Sequence, residues 1–288
     1  MKTLYDVNMK EYTTYKTGGI VKKMCFPQNT EELINLLKDL KLQQEKYFII
    51  GNGSNLIVDD KKFNGTIINL KEMNHYELQD NILYCECGVM LPMIANKMIN
   101  DSFKGLEWAI SIPGTIGGSI YNNAGAYNGS MQDIIKSVTV LDKSFNLIKL
   151  NNQDCGFEYR NSIFKKAKEF IIISCEISLE KYNKDILLEL VKDRRKRRLE
   201  SQPLEYPSAG SVFRNPENIP AGKLIDDLGL KGYKIGGAQI SNKHANFIVN
   251  KENASSNDIK SLIKLIHDKV LEEYKIDLIL EQEIINWE

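Results

Sequence analysis

Residues 111–129 read SIPGTIGGSIYNNAGAYNG, and five of the chain's nineteen glycines, Gly114, Gly117, Gly118, Gly125 and Gly129, fall within them. Glycine carries an entropic cost, so it concentrates where backbone must turn left-handed or approach another group closely. The stretch has no Lys, Arg, Asp or Glu; an anion bound there would be held by backbone N–H groups and small side chains. Two readings follow: a loop cradling a phosphorylated cofactor, and a set of tight turns between buried strands.

The chain has 288 residues, which implies two or three domains sharing a cleft. Its 38 basic and 38 acidic residues balance, so neither a nucleic-acid coat nor a membrane-surface protein is indicated. The N-terminal MKTLYDVNMKEYTT lacks an apolar signal region and no run approaches a membrane span. A soluble cytoplasmic protein is expected. Cys25, Cys85, Cys87, Cys155 and Cys175 are odd in number and show no CxxC spacing, which argues against disulfides and a structural zinc site. Cys85 and Cys87 share one face of a strand and read as small buried hydrophobes, with redox chemistry as the alternative.

Outward from the glycine-rich stretch, the pattern is α+β. IVKKMCFP (20–27) reads as a strand, and Asn29 as a helix N-cap with Glu32 three residues on and Leu33, Ile34, Leu36, Leu37 and Leu40 on one face. The strand KYFII runs into Gly51-Asn52-Gly53-Ser54-Asn55 and then LIV. A Rossmann loop would lead into a helix; this β-loop-β segment instead has the composition of a phosphate-binding nest, or of a plain turn. Strands are predicted at GTIINL and NILYCECG, a helix near 90–101, a hairpin from KSVTVLD and FNLIKL, and the longest strand at FIIISCEISLEK. Residues 184–200 read as an amphipathic helix ending in Arg194, Arg195, Lys196, Arg197 and Arg198. That cluster is either a solvated helix end or a site for phosphates. Further on come a helix near Ala221 to Leu228, a strand at HANFIVN, a helix opened by Ser255 with Asp258, and a final strand IDLILEQEII.

No HExxH, GxSxG or P-loop is present, and His75, His244 and His267 lack ligand spacing. Arg160 lies in FEYRNSIF beside Tyr159, where an arginine could be held rigid as an anion clamp. Ser211 follows a glycine in SAGSVFRNP, a setting that can fix a hydroxyl at a pocket mouth. Glu281 and Glu283, two apart on a strand, face one side. Surface or turn roles remain the alternative for each.

Taken in order, TTYKTGG (13–19), GNGSNLIV (51–58), SIPGTIGGSIYNNAGAYNG, YRNSIF (159–164), QPLEYPSAGSVFRNP (202–216), GGAQISNKHANFIVN (236–250) and LEQEI (280–284) resemble the UDP-N-acetylenolpyruvoylglucosamine reductases of peptidoglycan synthesis over nearly the whole chain. The resemblance implies a two-part FAD-binding domain of the vanillyl-alcohol-oxidase type at 1–70 and 71–185, and a C-terminal α/β substrate-binding domain at 186–288. It implies FAD contacts at Gly51, Asn52, Gly53, Ser54, Asn55, Pro113, Gly114, Thr115, Gly117, Gly118, Asn123, Ala124 and Gly125. Catalytic roles fall on Arg160, Ser211 and Glu283, and substrate contacts on Tyr159, Arg214 and Asn215. Ile284 replaces the valine usual in this ending. A longer tyrosine-bearing loop of some members is absent, which implies the shorter subclass.

In such an enzyme NADPH reduces FAD and leaves, and UDP-N-acetylglucosamine enolpyruvate then takes hydride at C3 and a proton at C2. Arg160 and Glu283 are expected to polarise the carboxylate and Ser211 to supply the proton. A monomer that binds neither nucleic acid nor membrane is expected. A flavin oxidase of the same fold, a catalytically idle flavin- or nucleotide-binding protein, and a nucleic-acid module built on the arginine cluster are the competing readings. The last lacks interleaved aromatics.

Overall fold

The computed structural model describes residues Met1–Trp287. Most predicted elements form: strands Ile20–Phe26, Tyr47–Ile50, Leu56–Val58, Phe63–Asn69, Ile82–Glu86, Ile135–Leu141, Leu147–Asn151 and Ile171–Ser178, and helices Thr30–Leu42, Leu91–Asn100, Lys184–Ser201, Ala221–Asp227 and Ser256–Tyr274. A first strand, Lys2–Asn8, escaped the sequence reading. It leads a four-stranded sheet with Ile20–Phe26, Phe63–Asn69 and Tyr47–Ile50 in that order. The chain divides into two compact units, one of residues 1–3, 24–52 and 67–196, the other of residues 4–23, 53–66 and 197–288.

The first unit is built on an antiparallel five-stranded sheet in the order Leu147–Asn151, Ile135–Leu141, Ile171–Ser178, Ile82–Glu86, Tyr76–Gln79. Cys85 lies opposite Cys175 in that ladder. All five cysteines are free and buried. Burial pushes the Cys85 and Cys87 thiols up to about 12, leaving both uncharged and unreactive. Helix Thr30–Leu42 starts where predicted: Asn29 Oδ1 accepts from Glu32 N at 2.9 Å, and Leu33, Leu36, Leu37 and Leu40 are buried. The Glu32 carboxylate reaches back one residue further than a capping box, taking the Gln28 N–H and the N-terminal ammonium. Helix Lys184–Ser201 buries only Leu187 and Val191, a narrower apolar face than expected. Its basic end is partly engaged, with the Arg194 guanidinium over the Tyr127 ring and Tyr127 Oη donating to Arg194 O at 3.1 Å.

The second unit packs helices Ala221–Asp227 and Ser256–Tyr274 against a small antiparallel sheet, Lys234–Ile235, Ala238–Ile240 and Ile248–Asn250. Ser255 and Asp258 form the predicted reciprocal cap. Strand Leu56–Val58 pairs in parallel with Glu283–Ile285. Nearby, Trp287 stacks on Phe63 with centroids 4.3 Å apart and donates to Asp59 O. The predicted final strand 276–285 is thus shorter in the ladder. Residues 279–281 give their backbone groups to 212–214 instead, where Arg214 N donates to Ile279 O and Glu281 N to Val212 O.

Candidate active site

The two glycine-rich stretches meet. Asn52 Nδ2 donates to Pro113 O at 2.5 Å, and a Cβ on Gly51 would lie 2.4 Å from Thr115 Oγ1. The stretch 111–129 is not wholly irregular: Thr115 caps a helix, Ile116–Tyr121, accepting from Gly118 N. Three of its glycines have no room for a side chain. A Cβ on Gly117 would sit 2.9 Å from Cys87 Cβ, one on Gly125 2.5 Å from Gly129 O, and one on Gly129 2.5 Å from Trp108. The N–H groups of Gly114, Ile116, Gly117 and Gly118 all donate within the chain. Those of residues 51–55 donate to none of the described residues. GNGSN is an uncharged loop with Gly53 in the left-handed region at φ +64, where a Cβ would strike Tyr12 O at 2.1 Å. In that loop Asn55 Nδ2 donates to Glu281 O.

Asn123, at φ +41 and 4% exposed, spends its amide on Glu158 O and accepts from Gln132 N. Ala124 is tied through its N–H to Ser119 O and its carbonyl to Met131 N. These two residues shape the loop through internal bonds.

Arg160 occupies the third position of a turn closed by Glu158 and Asn161, at φ +55. A non-glycine residue there is strained by ~1–3 kcal/mol and persists when its surroundings dictate it. Nη2 donates to Gly125 O at 2.7 Å, and the guanidinium lies over the exposed Tyr159 ring, 5.3 Å from its centroid. The fork is aimed by its backbone, its hydrogen bond and its neighbour together.

In the other unit Ser211 is half-buried and follows Gly210, at φ +77. The segment after it is clamped by Asn246, which is 2% exposed. Asn246 O accepts from Val212 N, Oδ1 accepts from Phe213 N, and Nδ2 donates to Phe213 O. Arg214 has a buried Nε with no hydrogen-bond partner among the described residues. Asn215 is exposed and uses Oδ1 to accept from Ala221 N at the start of a helix. Glu283 is half-buried and bonds through its N–H to Asn55 O, which sets it beside the exit of the nest.

Comparison with known proteins places the whole chain. It is 44% identical over 98% of its length to the UDP-N-acetylenolpyruvoylglucosamine reductase of Caldicellulosiruptor bescii, covering 89% of that protein. It is 41% identical to that of Caldanaerobacter subterraneus over 96% of its length and 91% of the relative's. The chain belongs to the UDP-N-acetylenolpyruvoylglucosamine reductase family. A solved reductase of this family, from Thermus caldophilus, superposes with a TM-score of 0.83 at 30% identity, covering 99% of this chain and 98% of that one. A family model described as an FAD binding domain matches residues 21–151, and one described as the UDP-N-acetylenolpyruvoylglucosamine reductase C-terminal domain matches residues 202–285. The fold of 6-hydroxy-D-nicotine oxidase from Arthrobacter nicotinovorans is shared at a TM-score of 0.50 over 62% of this chain and 42% of that one, at 11% identity. The chain is therefore an α+β protein with an FAD binding domain, and it shares its fold with that oxidase.

The residues present suit FAD. A dinucleotide's pyrophosphate needs backbone donors and no competing carboxylate, and residues 51–55 carry N–H groups that donate to none of the described residues, with no acidic side chain among them. Sequence reading missed Asn246 and Gln282, although both lie in motifs it singled out. Nothing in their spacing says that each would be buried against the Ser211 segment.

Proposed function

We propose that this protein is an NADPH-dependent, FAD-containing reductase that converts UDP-N-acetylglucosamine enolpyruvate to UDP-N-acetylmuramate, a step in peptidoglycan precursor synthesis. The observation that carries it is a rigidly held, half-buried Ser211 in a chain that is a family member from end to end. FAD, when bound, accepts hydride from NADPH and supplies it to C3 of the enolpyruvyl group.

Every other step belongs to the chain. The nest at Gly51–Asn55, with Pro113 to Thr115 beside it, binds the pyrophosphate, while Asn123, Ala124 and Gly125 shape the neighbouring loop. Arg160 presents its fork to the substrate carboxylate, drawing charge away from the double bond so that C3 becomes electrophilic. Glu283 shares a proton with the same carboxylate. Ser211 Oγ gives its proton to C2 as charge builds there and regains one from solvent; a hydroxyl is a weak acid, so this depends on its being held in place. Tyr159 and Arg214 contact the substrate, and the buried Nε of Arg214 supports an anionic partner. Asn215 shapes the same segment from its helix-start bond. We divide the work among FAD-binding parts at 1–70 and 71–185 and a substrate-binding part at 186–288.

We place the enzyme in the cytoplasm as a monomer that binds neither nucleic acid nor membrane. In support, its charges balance and no helix among the described residues is long and apolar enough to cross a membrane. The absorption spectrum tests the assignment: oxidised-flavin bands should bleach with NADPH and return anaerobically on adding the enolpyruvyl nucleotide. A colourless protein that cannot be reconstituted with FAD would overturn it.

A further inference from the structure

Two rigid peptide units flank the Cα of Ser211, one carrying the Gly210 carbonyl and the other the Val212 N–H. The second is fixed by Asn246 O, 2.9 Å from Val212 N. The first is gripped by Gln282, whose Nε2 lies 3.2 Å from both Gly210 O and Ala209 O. Gly210 sits at φ +77, and a Cβ placed there would meet nothing within 4 Å. The hydrogen bond from Gln282 restrains the peptide that joins this flexible residue to the serine.

Gln282 is 3% exposed, while Glu281 and Glu283 on either side are half-buried. Its amide orientation is chemically determined. Tyr15 Oη, fully buried, donates to Gln282 Oε1 at 3.1 Å, and a flipped amide would set two donors against each other there and an oxygen against two carbonyls. Tyr15 is anchored in turn, since Asn250 Nδ2 donates to its carbonyl at 2.9 Å. Burial raises the Tyr15 phenol well above its ordinary range, so it remains a donor throughout the working pH range.

We propose that Gln282, oriented by Tyr15, is a positioning residue that fixes the Ser211 hydroxyl for proton transfer. This rests on the assignment of Ser211 as proton donor made above. Gln282 acts through the 209–211 backbone, to which its amide donates.

The test follows the two half-reactions of the FAD-loaded enzyme by stopped flow, with Gln282→Met, Tyr15→Phe, Ser211→Ala and the double variant Ser211→Ala/Gln282→Met. Gln282→Met should slow substrate-driven flavin reoxidation about 10–100-fold while NADPH-driven bleaching stays within about twofold of wild type. Tyr15→Phe, which lets the amide turn, should slow reoxidation about 3–10-fold, and it stands as the readout if Gln282→Met fails to fold. The double variant should be no slower than Ser211→Ala, because a residue that acts through the hydroxyl has nothing left to act on. A folded Gln282→Met at wild-type speed, equal slowing of both half-reactions, or losses that multiply in the double variant would overturn the positioning role. If Ser211→Ala by itself leaves reoxidation intact, the proton-donor assignment falls and the positioning role with it. Slowing in Ser211→Ala but in neither other single variant removes the positioning role alone.

Discussion

Gly51→Ala places a methyl group 2.4 Å from Thr115 Oγ1, 3.4 Å from its Cγ2 and 3.5 Å from its Cβ. Only the hydroxyl is a serious collision, and it is also the group that caps helix Ile116–Tyr121 through Gly118 N at 3.3 Å. Thr115 can yield by rotating, at the cost of the cap, ~1 kcal/mol, or the loop can shift, at ~1–3 kcal/mol. Against this, alanine restricts the unfolded chain and returns ~0.4–1 kcal/mol, since Gly51 is not in the left-handed region. The expected net loss is about 0–2.6 kcal/mol, at the low end if Thr115 rotates and at the high end if the loop shifts. In a Thr115→Ala background the clashing oxygen is gone and the nearest remaining contact is ordinary. There Gly51→Ala should cost nothing and can stabilise by up to ~1 kcal/mol. Urea unfolding of the four members of this cycle measures the difference, with an expected coupling of ~1–3 kcal/mol. If Gly51→Ala costs the same in both backgrounds, the close approach of the two stretches is not as described.

Asn246→Ala should destabilise by about 2–5 kcal/mol, because it strands the buried N–H and carbonyl of Phe213; a loss under ~1 kcal/mol in urea unfolding would contradict the clamp. Arg160→Lys keeps the same left-handed backbone but loses the planar fork, so substrate-driven reoxidation should fall about 100-fold or more, and near-wild-type turnover would count against the anion clamp. His267 is raised above its ordinary range by its hydrogen bond to Asp277, 2.7 Å away. The stability it adds is therefore fully present below the unfolded histidine value of about 6.5 and lost as pH rises through the higher folded value. His267→Gln should accordingly destabilise at pH ~5.5 by no more than ~1 kcal/mol, the pair being partly exposed, and not at pH ~9; a pH-independent effect would refute the pairing.

Local signals in the sequence were sufficient for most elements. The Asn29 and Ser255 caps, the four buried leucines of the first helix and the alternation at Cys85 and Cys87 each act within a few residues, and each appears where the pattern put it. The glycine density at 114–129 was also visible, but not its cause. Glycines needed against Cys87, Gly129 and Trp108 leave the same mark in a sequence as glycines needed against a ligand. The N–H groups that donate to none of the described residues lie in the less conspicuous GNGSN loop. Least legible were long-range pairings: the parallel ladder of Leu56–Val58 with Glu283–Ile285, and Gln282 turned inward onto Tyr15 between two half-buried glutamates. Loops closed over more than two hundred residues leave no periodicity to read.

The central claim is that Ser211 supplies the proton at C2, and the Ser211→Ala enzyme under anaerobic stopped flow tests it most directly. Reduction of bound flavin by NADPH should proceed within about twofold of wild type, while reoxidation by the enolpyruvyl nucleotide should slow by about 10²–10⁴-fold. Equal loss in both half-reactions, or unimpaired reoxidation, would contradict it.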